Sequence, residues 1–388
     1  MTRTTGVVIS GGGARGAYEA GLLSVVLPRL LEEDDDQRFV VVGTSAGAVN
    51  TALLCSQADV SAGIDAMLDF WLSASVKEVT KSIWLTGPID LAKYLAMVFA
   101  VAPTSFDSLL DSRPLRRTLD SRVNWRRLDQ AVLGDGHIAA AAVVATASDS
   151  GRTVVFVAGA GADGEALPPD DPSRNLHYAA TSMRSEHVVA SSAIPAMFTP
   201  AQITEPPALE GWYFDGGVRL NTPLKPALEL GAERVVVVAT TPDPDLPSRP
   251  SCAAERPDVF DSAASVLQAA LVDNLTEDVR HLRRVNVLVE DAADTPYVKV
   301  PNLFLGPPVG DLIGSMANEV YEDHFGGWQA ALTDLGLLGR LMGAAATPAR
   351  GELLSFMLFD EAFHRPLIEL GRRHAEMSLA PGPGLPWQ

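Results

Sequence analysis

The chain has 388 residues, 47% hydrophobic and 20% charged, which is enough for one large domain or two ordinary ones and too apolar for global disorder. Its formal net charge of −18 repels nucleic-acid phosphates and anionic membranes alike, so no nucleic acid is expected as a partner and any lipid contact must be mainly apolar. Two cysteines far apart in sequence, Cys55 and Cys252, and seven scattered histidines without an H-E-x-x-H exclude a disulfide framework and offer no metal site.

Gly6-Val7-Val8-Ile9 reads as a short apolar strand that leaves no room for a signal peptide, so a cytoplasmic location is the default expectation. Ser10-Gly11-Gly12-Gly13-Ala14-Arg15-Gly16 follows, then a helix with Tyr18, Leu22, Val25, Val26 and Leu30 on one face, which Pro28 should kink or shorten. Gly11-x-Gly13-x-x-Gly16 matches the dinucleotide fingerprint, but that fold wants an acid at the end of the next strand to hold a ribose. Here the acids, Glu32 to Asp36, form a solvated turn before the strand, and the strand ends in Gly43-Thr44-Ser45. A glycine loop at a helix start can equally bind an oxyanion.

Val40 to Gly47 reads VVVGTSAG, and AVNTALL then begins a helical pattern. A valine-rich strand, the pentapeptide Gly43-Thr44-Ser45-Ala46-Gly47 and a helix are the setting of a nucleophile elbow. The turn leaves the Ser45 hydroxyl at its tip and aims the first amides of the helix at whatever that hydroxyl attacks. Two anion-friendly turns on neighbouring parallel strands would face one another.

From Ser61 to about Gln130 the chain reads as mostly helical. Ile89 to Ala102 is its most apolar stretch, too short for a membrane span; it reads as a buried helix, or as a lid or surface giving transient membrane contact. Strands are expected at Ile138 to Ala147 and Thr153 to Ala158, a surface loop over 160–175, and a helix from His187 stopped near Pro195. Trp212-Tyr213-Phe214 is a short strand ending in Asp215-Gly216-Gly217, Asn221-Thr222-Pro223 caps a helix through Leu230, and Arg234 to Ala239 is a buried strand. This alternation implies an α/β sheet with helices on both faces. A proline-rich connector (Pro242 to Pro257), a helix from Val259 to Arg284, a strand at Val285 to Val289 and helices to about Ala375 complete the chain, with a loose-coil tail. Phe304-Leu305-Gly306-Pro307-Pro308 reads as ordinary packing or a docking loop.

A serine hydroxyl needs a base. His281, His324 and His364 follow Ser45 in the chain order of an α/β-hydrolase triad, but none sits in a catalytic setting, and that fold builds several strands before its elbow. Asp215 is the better base: partial burial would raise its pKa, and Trp212, Tyr213 and Phe214 are positioned to supply an apolar setting. Gly216 and Gly217 would let a ligand or another backbone approach closely.

GGGARG at 11–16, GTSAG at 43–47, ASSAIPAMF at 190–198 and DGG at 215–217 together resemble the patatin-like phospholipase family in order, spacing and strand placement, over roughly residues 5–240. The resemblance implies a three-layer α/β/α fold and a Ser–Asp dyad without histidine. Carried over, Ser45 is the nucleophile and Asp215 the base. The amides of Gly11, Gly12 and Gly13, with that of Ala46, form the oxyanion hole. Arg15 matches the basic position of the glycine motif and either steadies the loop or touches substrate; Gly16, Gly43, Gly47, Gly216 and Gly217 support the turns. The implied activity is hydrolysis of lipid carboxylic esters, without cofactor or metal; the location expected from the N-terminus stays cytoplasmic, with a membrane-peripheral one as the alternative. Acyl transfer from the same acyl-enzyme and a lipid-binding regulatory module are the alternatives. The expected organisation is a catalytic domain over 5–240, a connector over 241–257 and a mostly helical region over 258–388 serving as lid, interface or regulatory element.

Overall fold

The structure is a computed structural model and describes residues 3–80, 110–134, 136–159, 167–195, 197–246, 276–290, 297–327, 333–341, 347–379 and 384–388. Ile89 to Ala102 and most of the proline-rich connector lie outside the described residues.

The centre of the fold grows from three apolar runs, β1 (Thr4–Ile9), β2 (Arg38–Thr44) and β8 (Arg234–Val238). They lack the polar alternation of a half-exposed strand because both faces are covered. The two-residue period still sorts their side chains. Val7, Ile9, Val41, Val236 and Val238 enter one buried cluster, and Val8, Val40, Val42, Val235 and Val237 enter a second. The clusters are the two cores of an α/β/α sandwich.

The remaining strands are β3 (Ile138–Ala147), β4 (Thr153–Ala158), β5 (Leu176–Thr181), β6 (Ala201–Ile203), β7 (Gly211–Asp215) and β9 (Asn302–Leu305). Together the described residues form a nine-stranded mixed sheet ordered β5-β4-β3-β2-β1-β8-β9, with β7 pairing β3 and β6 pairing β7. Strands β3, β2, β1, β8 and β9 run parallel, whereas β4 and β7 are antiparallel to β3. The register then does the functional work. Ile9 pairs with Gly43, Thr44 with Val144, and Ala145 with Asp215. The glycine loop after β1, the turn after β2 and the end of β7 therefore meet at one edge of the sheet.

The helices are α1 (Gly16–Glu33), α2 (Ala46–Cys55), α3 (Val60–Ser73), α4 (Val76–Val79), α5 (Arg113–Arg122), α6 (Trp125–Leu133) and α7 (Ser185–Ser191). They continue with α8 (Gly217–Leu220), α9 (Leu224–Glu229), α10 (276–290), α11 (Leu312–Phe325), α12 (Asp334–Leu341), α13 (Pro348–Met357) and α14 (Glu361–Ser378). Leu22, Leu23 and Val26 of α1 pack in the first core with Phe363 and Leu367 of α14, and the Tyr18 hydroxyl lies 2.8 Å from His374 Nδ1. Leu224 and Ala227 of α9 and Val279 and Leu282 of α10 lie in the second core.

Several local expectations give way to tertiary context. α1 runs through Pro28, which sits partly exposed, and ends only at Glu33. Val285 to Val289 is helical, not a strand: within α10 the buried positions are Val279, Leu282 and Asn286, a helical spacing that overrides the β-branched run. Phe304 and Leu305 are not a docking loop but the end of β9, which pairs with β8. The last described residues of the tail, 384–388, are not loose. Gln388 exchanges backbone hydrogen bonds with Asn302, and the Arg234 guanidinium stacks 4.4 Å from the Trp387 ring. The helix after His187 stops at Ser191, before Pro195. Asn221 does not cap a helix with its side chain; it reaches the glycine loop.

Candidate active site

Ser45 joins the end of β2 to the start of α2 with φ 56° and ψ −122°, a conformation that L side chains rarely adopt and that persists only when its surroundings impose it. Those surroundings are visible. The Ser45 N–H donates to Ser191 Oγ at 2.9 Å, and Ser192 Oγ donates to the Ser45 carbonyl at 3.1 Å. That carbonyl also accepts the N–H groups of Ala48 and Val49 in the first turn of α2. The turn passes so close to β1 that a Cβ on Gly47 would lie 2.4 Å from the Ile9 carbonyl oxygen, and Gly43 sits against Gly47 itself.

Asp215 closes β7 and is fully buried. Its N–H donates to the Ala193 carbonyl at 2.9 Å, and its own carbonyl accepts Thr146 Oγ1 at 3.1 Å. The Gly217 N–H donates to Oδ1 at 2.7 Å, while Oδ2 is buried with no formed hydrogen bond among the described residues. Burial raises the carboxyl from 3.8 to about 7, against the opposing pull of the neighbouring Ser45 hydroxyl and of the Gly217 N–H. The serine and the acid therefore face one another. Trp212, by contrast, is exposed and Phe214 only half-buried, so of the strand's three aromatics only Tyr213 is buried in the core, and β7 packs edge to edge with β3 at Asp215. The close neighbour admitted by Gly216 is the Val144 carbonyl of β3, a backbone and not a ligand.

The glycine loop divides. The Gly11 N–H is engaged by Asn221, through its carbonyl oxygen at 3.3 Å and its Oδ1 at 3.0 Å, so Gly11 does not offer a free donor as expected; it is the fixed root of the loop. The N–H groups of Gly12, Gly13 and Ala46 find no acceptor among the described residues. Gly13 has φ +58°, and a Cβ there would strike the Phe356 carbonyl at 2.3 Å. Gly16 opens α1 against the Trp71 ring. Arg15 is buried and turned into α13: Nε donates to Ser355 Oγ at 2.8 Å, the guanidinium pairs with Glu352, and it lies 4.2 Å from the Phe356 ring. Of the two roles open to Arg15, the contacts favour steadying the loop.

Behind the loop lies a buried network with no counterpart in the sequence reading. Glu19, fully buried in α1, accepts Ser10 Oγ at 2.9 Å and Asn50 Nδ2 at 3.2 Å, and Asn50 Oδ1 accepts Trp71 Nε1 at 2.7 Å. Burial holds the Glu19 carboxyl well above the usual carboxylate range. Nor does the sequence assign roles to Ser191 or Ser192, although both lie in the 190–198 stretch that carries the family resemblance, and it reads Asn221 as a helix cap where the side chain instead holds the glycine loop. Their pairings span more than a hundred residues, and no local pattern announces them.

The histidines stand apart. His364 is fully buried in α14, its Nδ1 lies 2.7 Å from the Trp71 carbonyl, and burial pushes its pKa down to about 4. His281 lies in α10 and His324 near the end of α11; neither is hydrogen-bonded to Ser45 or Asp215. Among the described residues no group of three His, Cys, Asp or Glu side chains could hold a metal, and no helix is long and apolar enough to cross a membrane.

A serine on a strained strand–turn–helix elbow, set against a buried carboxyl within an α/β/α sandwich, is the arrangement of an acyl-hydrolase scaffold. The family model of the patatin-like phospholipases matches residues 7–228, more than half of the chain, and the chain belongs to that family of lipid acyl hydrolases. No curated protein matches its sequence. Among solved structures it is similar to VipD from Legionella pneumophila, at 13% identity and a TM-score of 0.33, over 96% of this chain and 67% of that one.

Proposed function

We propose that the protein is a serine acyl hydrolase that cleaves carboxylic esters of lipids, of the phospholipase A or lysophospholipase type, through an acyl-enzyme on Ser45. The observation that carries this reading is the pairing of the strained Ser45 turn with a buried Asp215 whose pKa lies near neutrality. A base poised near the working pH is the condition for proton transfer from a hydroxyl.

Ser45 Oγ attacks the ester carbonyl carbon as its proton passes to the Asp215 carboxylate. The N–H groups of Gly12, Gly13 and Ala46 hold the oxyanion, helped by the N-terminus of α2. Collapse of the tetrahedral adduct breaks the bond to the alcohol, which leaves with the proton from Asp215. Water, deprotonated by Asp215, then releases the fatty acid and restores Ser45. Neither a metal nor an organic cofactor takes part. Site geometry is equally compatible with passing the acyl group to another acceptor, so the fate of the acyl group decides between hydrolysis and transfer.

The test is fatty-acid release from phosphatidylcholine and lysophosphatidylcholine dispersed in detergent micelles, beside p-nitrophenyl esters of graded chain length. Wild type should release acid and lose at least ~10³ in rate on Ser45→Ala. Lipid binding without turnover in both proteins would support a binding module instead.

A further inference from the structure

We infer that α13 is a working part of the active site: Glu352 and Ser355 are positioning residues that hold the oxyanion loop in place through Arg15. The inference rests on the hydrolase reading for its catalytic consequence and on geometry alone for its structural one.

The chain of contacts is continuous. Arg15 lies two residues from Gly13, and its guanidinium is nearly buried. It is held on three sides by one short stretch of α13. Nε donates to Ser355 Oγ, a further N–H donates to the Glu352 carbonyl at 3.3 Å, and the same nitrogen pairs with the Glu352 carboxylate. The ring of Phe356 covers the cation at 4.2 Å. Ser355 is oriented for the task because its own hydroxyl donates to the Glu352 carbonyl at 2.6 Å, leaving its oxygen to accept from Arg15. The backbone is clamped as well, since Gly13 passes directly against the Phe356 carbonyl.

Helix α13 has a fixed seat. Arg350 pairs with Glu322 of α11 at 2.8 Å and lies over the Tyr321 ring at 4.6 Å. Gly351 meets the Gly314 carbonyl of α11 at backbone contact. A loop of glycines has no side chains with which to fix its own amides, so their direction must be imposed from outside. Asn221 fixes one end, at Gly11, and the Arg15 latch fixes the other. An arginine fork paired to a carboxylate and a hydroxyl specifies direction as well as distance. Displacement of the two free amides by about 1 Å would cost on the order of 10² in rate.

The experiment reads the loop and the reaction separately. Glu352→Ala, Ser355→Ala and Glu352→Gln are compared with wild type by amide hydrogen exchange in peptides covering 10–17, with β3 and β4 peptides as the control for global opening. The expected result is exchange in the 10–17 peptide faster by about tenfold or more in both alanine variants, with the control peptides unchanged. Esterase kinetics on p-nitrophenyl butyrate should show kcat down by about 10–100-fold with KM within about threefold. Glu352→Gln, which keeps an acceptor, should fall between. If Glu352→Ala does not fold, Ser355→Ala alone carries the test, since it removes the Nε acceptor and its bond to the Glu352 carbonyl but keeps the Glu352 carboxylate. Unchanged exchange at 10–17 overturns the latch whatever the activity. Faster exchange at 10–17 with unchanged kcat overturns its catalytic role. If wild type itself is inert towards esters, faster local exchange still supports the latch, and the hydrolase reading is what fails.

Discussion

Asp215→Asn separates the function of the buried acid from its effect on stability, and the two should move in opposite directions. The Asp215 carboxyl has a pKa of 3.8 in the unfolded chain and about 7 in the fold. Between those values the folded protein keeps a proton that the unfolded chain has released. Stability from the neutral acid is therefore complete below about pH 3.8 and is lost as pH rises towards 7. At about 1.4 kcal/mol per tenfold change in proton affinity, the ionised form costs about 4 kcal/mol above pH 8. Asparagine keeps the neutral shape at every pH. Its stability advantage over wild type should grow by about 2–3 kcal/mol between pH 5 and pH 8, measured by urea unfolding of both proteins. In the same samples wild-type kcat/KM should rise about tenfold per pH unit below 7 and level off above it, while Asp215→Asn is inactive throughout. A stability gap that does not widen with pH, or an Asp215→Asn enzyme that keeps most of its activity, would refute the reasoning.

Ser191→Ala removes the acceptor of the Ser45 N–H and leaves a buried donor unpaired, so unfolding free energy should drop by about 1–3 kcal/mol and kcat should fall with it. Gly13→Ala places a side chain at φ +58° and against the Phe356 carbonyl; differential scanning calorimetry should show a lower melting temperature, and esterase activity should be lost with it. Burial raises the Glu19 carboxyl well above the ordinary carboxylate range against the lowering effects of Ser10 and Asn50, so its contribution to stability declines as pH rises above that range. Glu19→Gln should accordingly melt no lower than wild type at pH 8; a large drop would mean that the acid is ionised and needed as such.

The parts of the fold that were legible in the sequence are those whose signal is local. Valine runs covered on both faces marked β1, β2 and β8, apolar runs rich in Ala, Val and Thr marked β3 and β4, and glycines marked the two turns and the end of β7. What escaped was decided by partners distant in the chain. β9 is four residues long and precedes Gly306-Pro307-Pro308, which reads as loop until β8 supplies its hydrogen bonds. β5 follows a Gly- and Pro-rich stretch and exists because it pairs with β4. α10 carries a strand-like run that becomes helical because Leu282 and Asn286 must face inward together. At the site, Ser45 and Asp215 were named from turn chemistry and resemblance, and register places them at one edge. Gly11 was misjudged because its N–H is taken by Asn221, a residue whose side chain carries no spacing relative to the loop. Glu352 and Ser355 were invisible for the same reason: α13 returns to the glycine loop only in three dimensions.

The central claim is that Ser45 forms a covalent acyl intermediate with Asp215 as its base. A long-chain alkyl fluorophosphonate, which reacts only with an activated serine, tests it most directly. Intact mass and peptide mapping should show one adduct per wild-type chain, on the peptide containing Ser45. Labelling should be absent in Ser45→Ala and slowed by at least ~10² in Asp215→Asn. Stoichiometric labelling at another residue, or an Asp215→Asn protein that labels at the wild-type rate, would contradict the account.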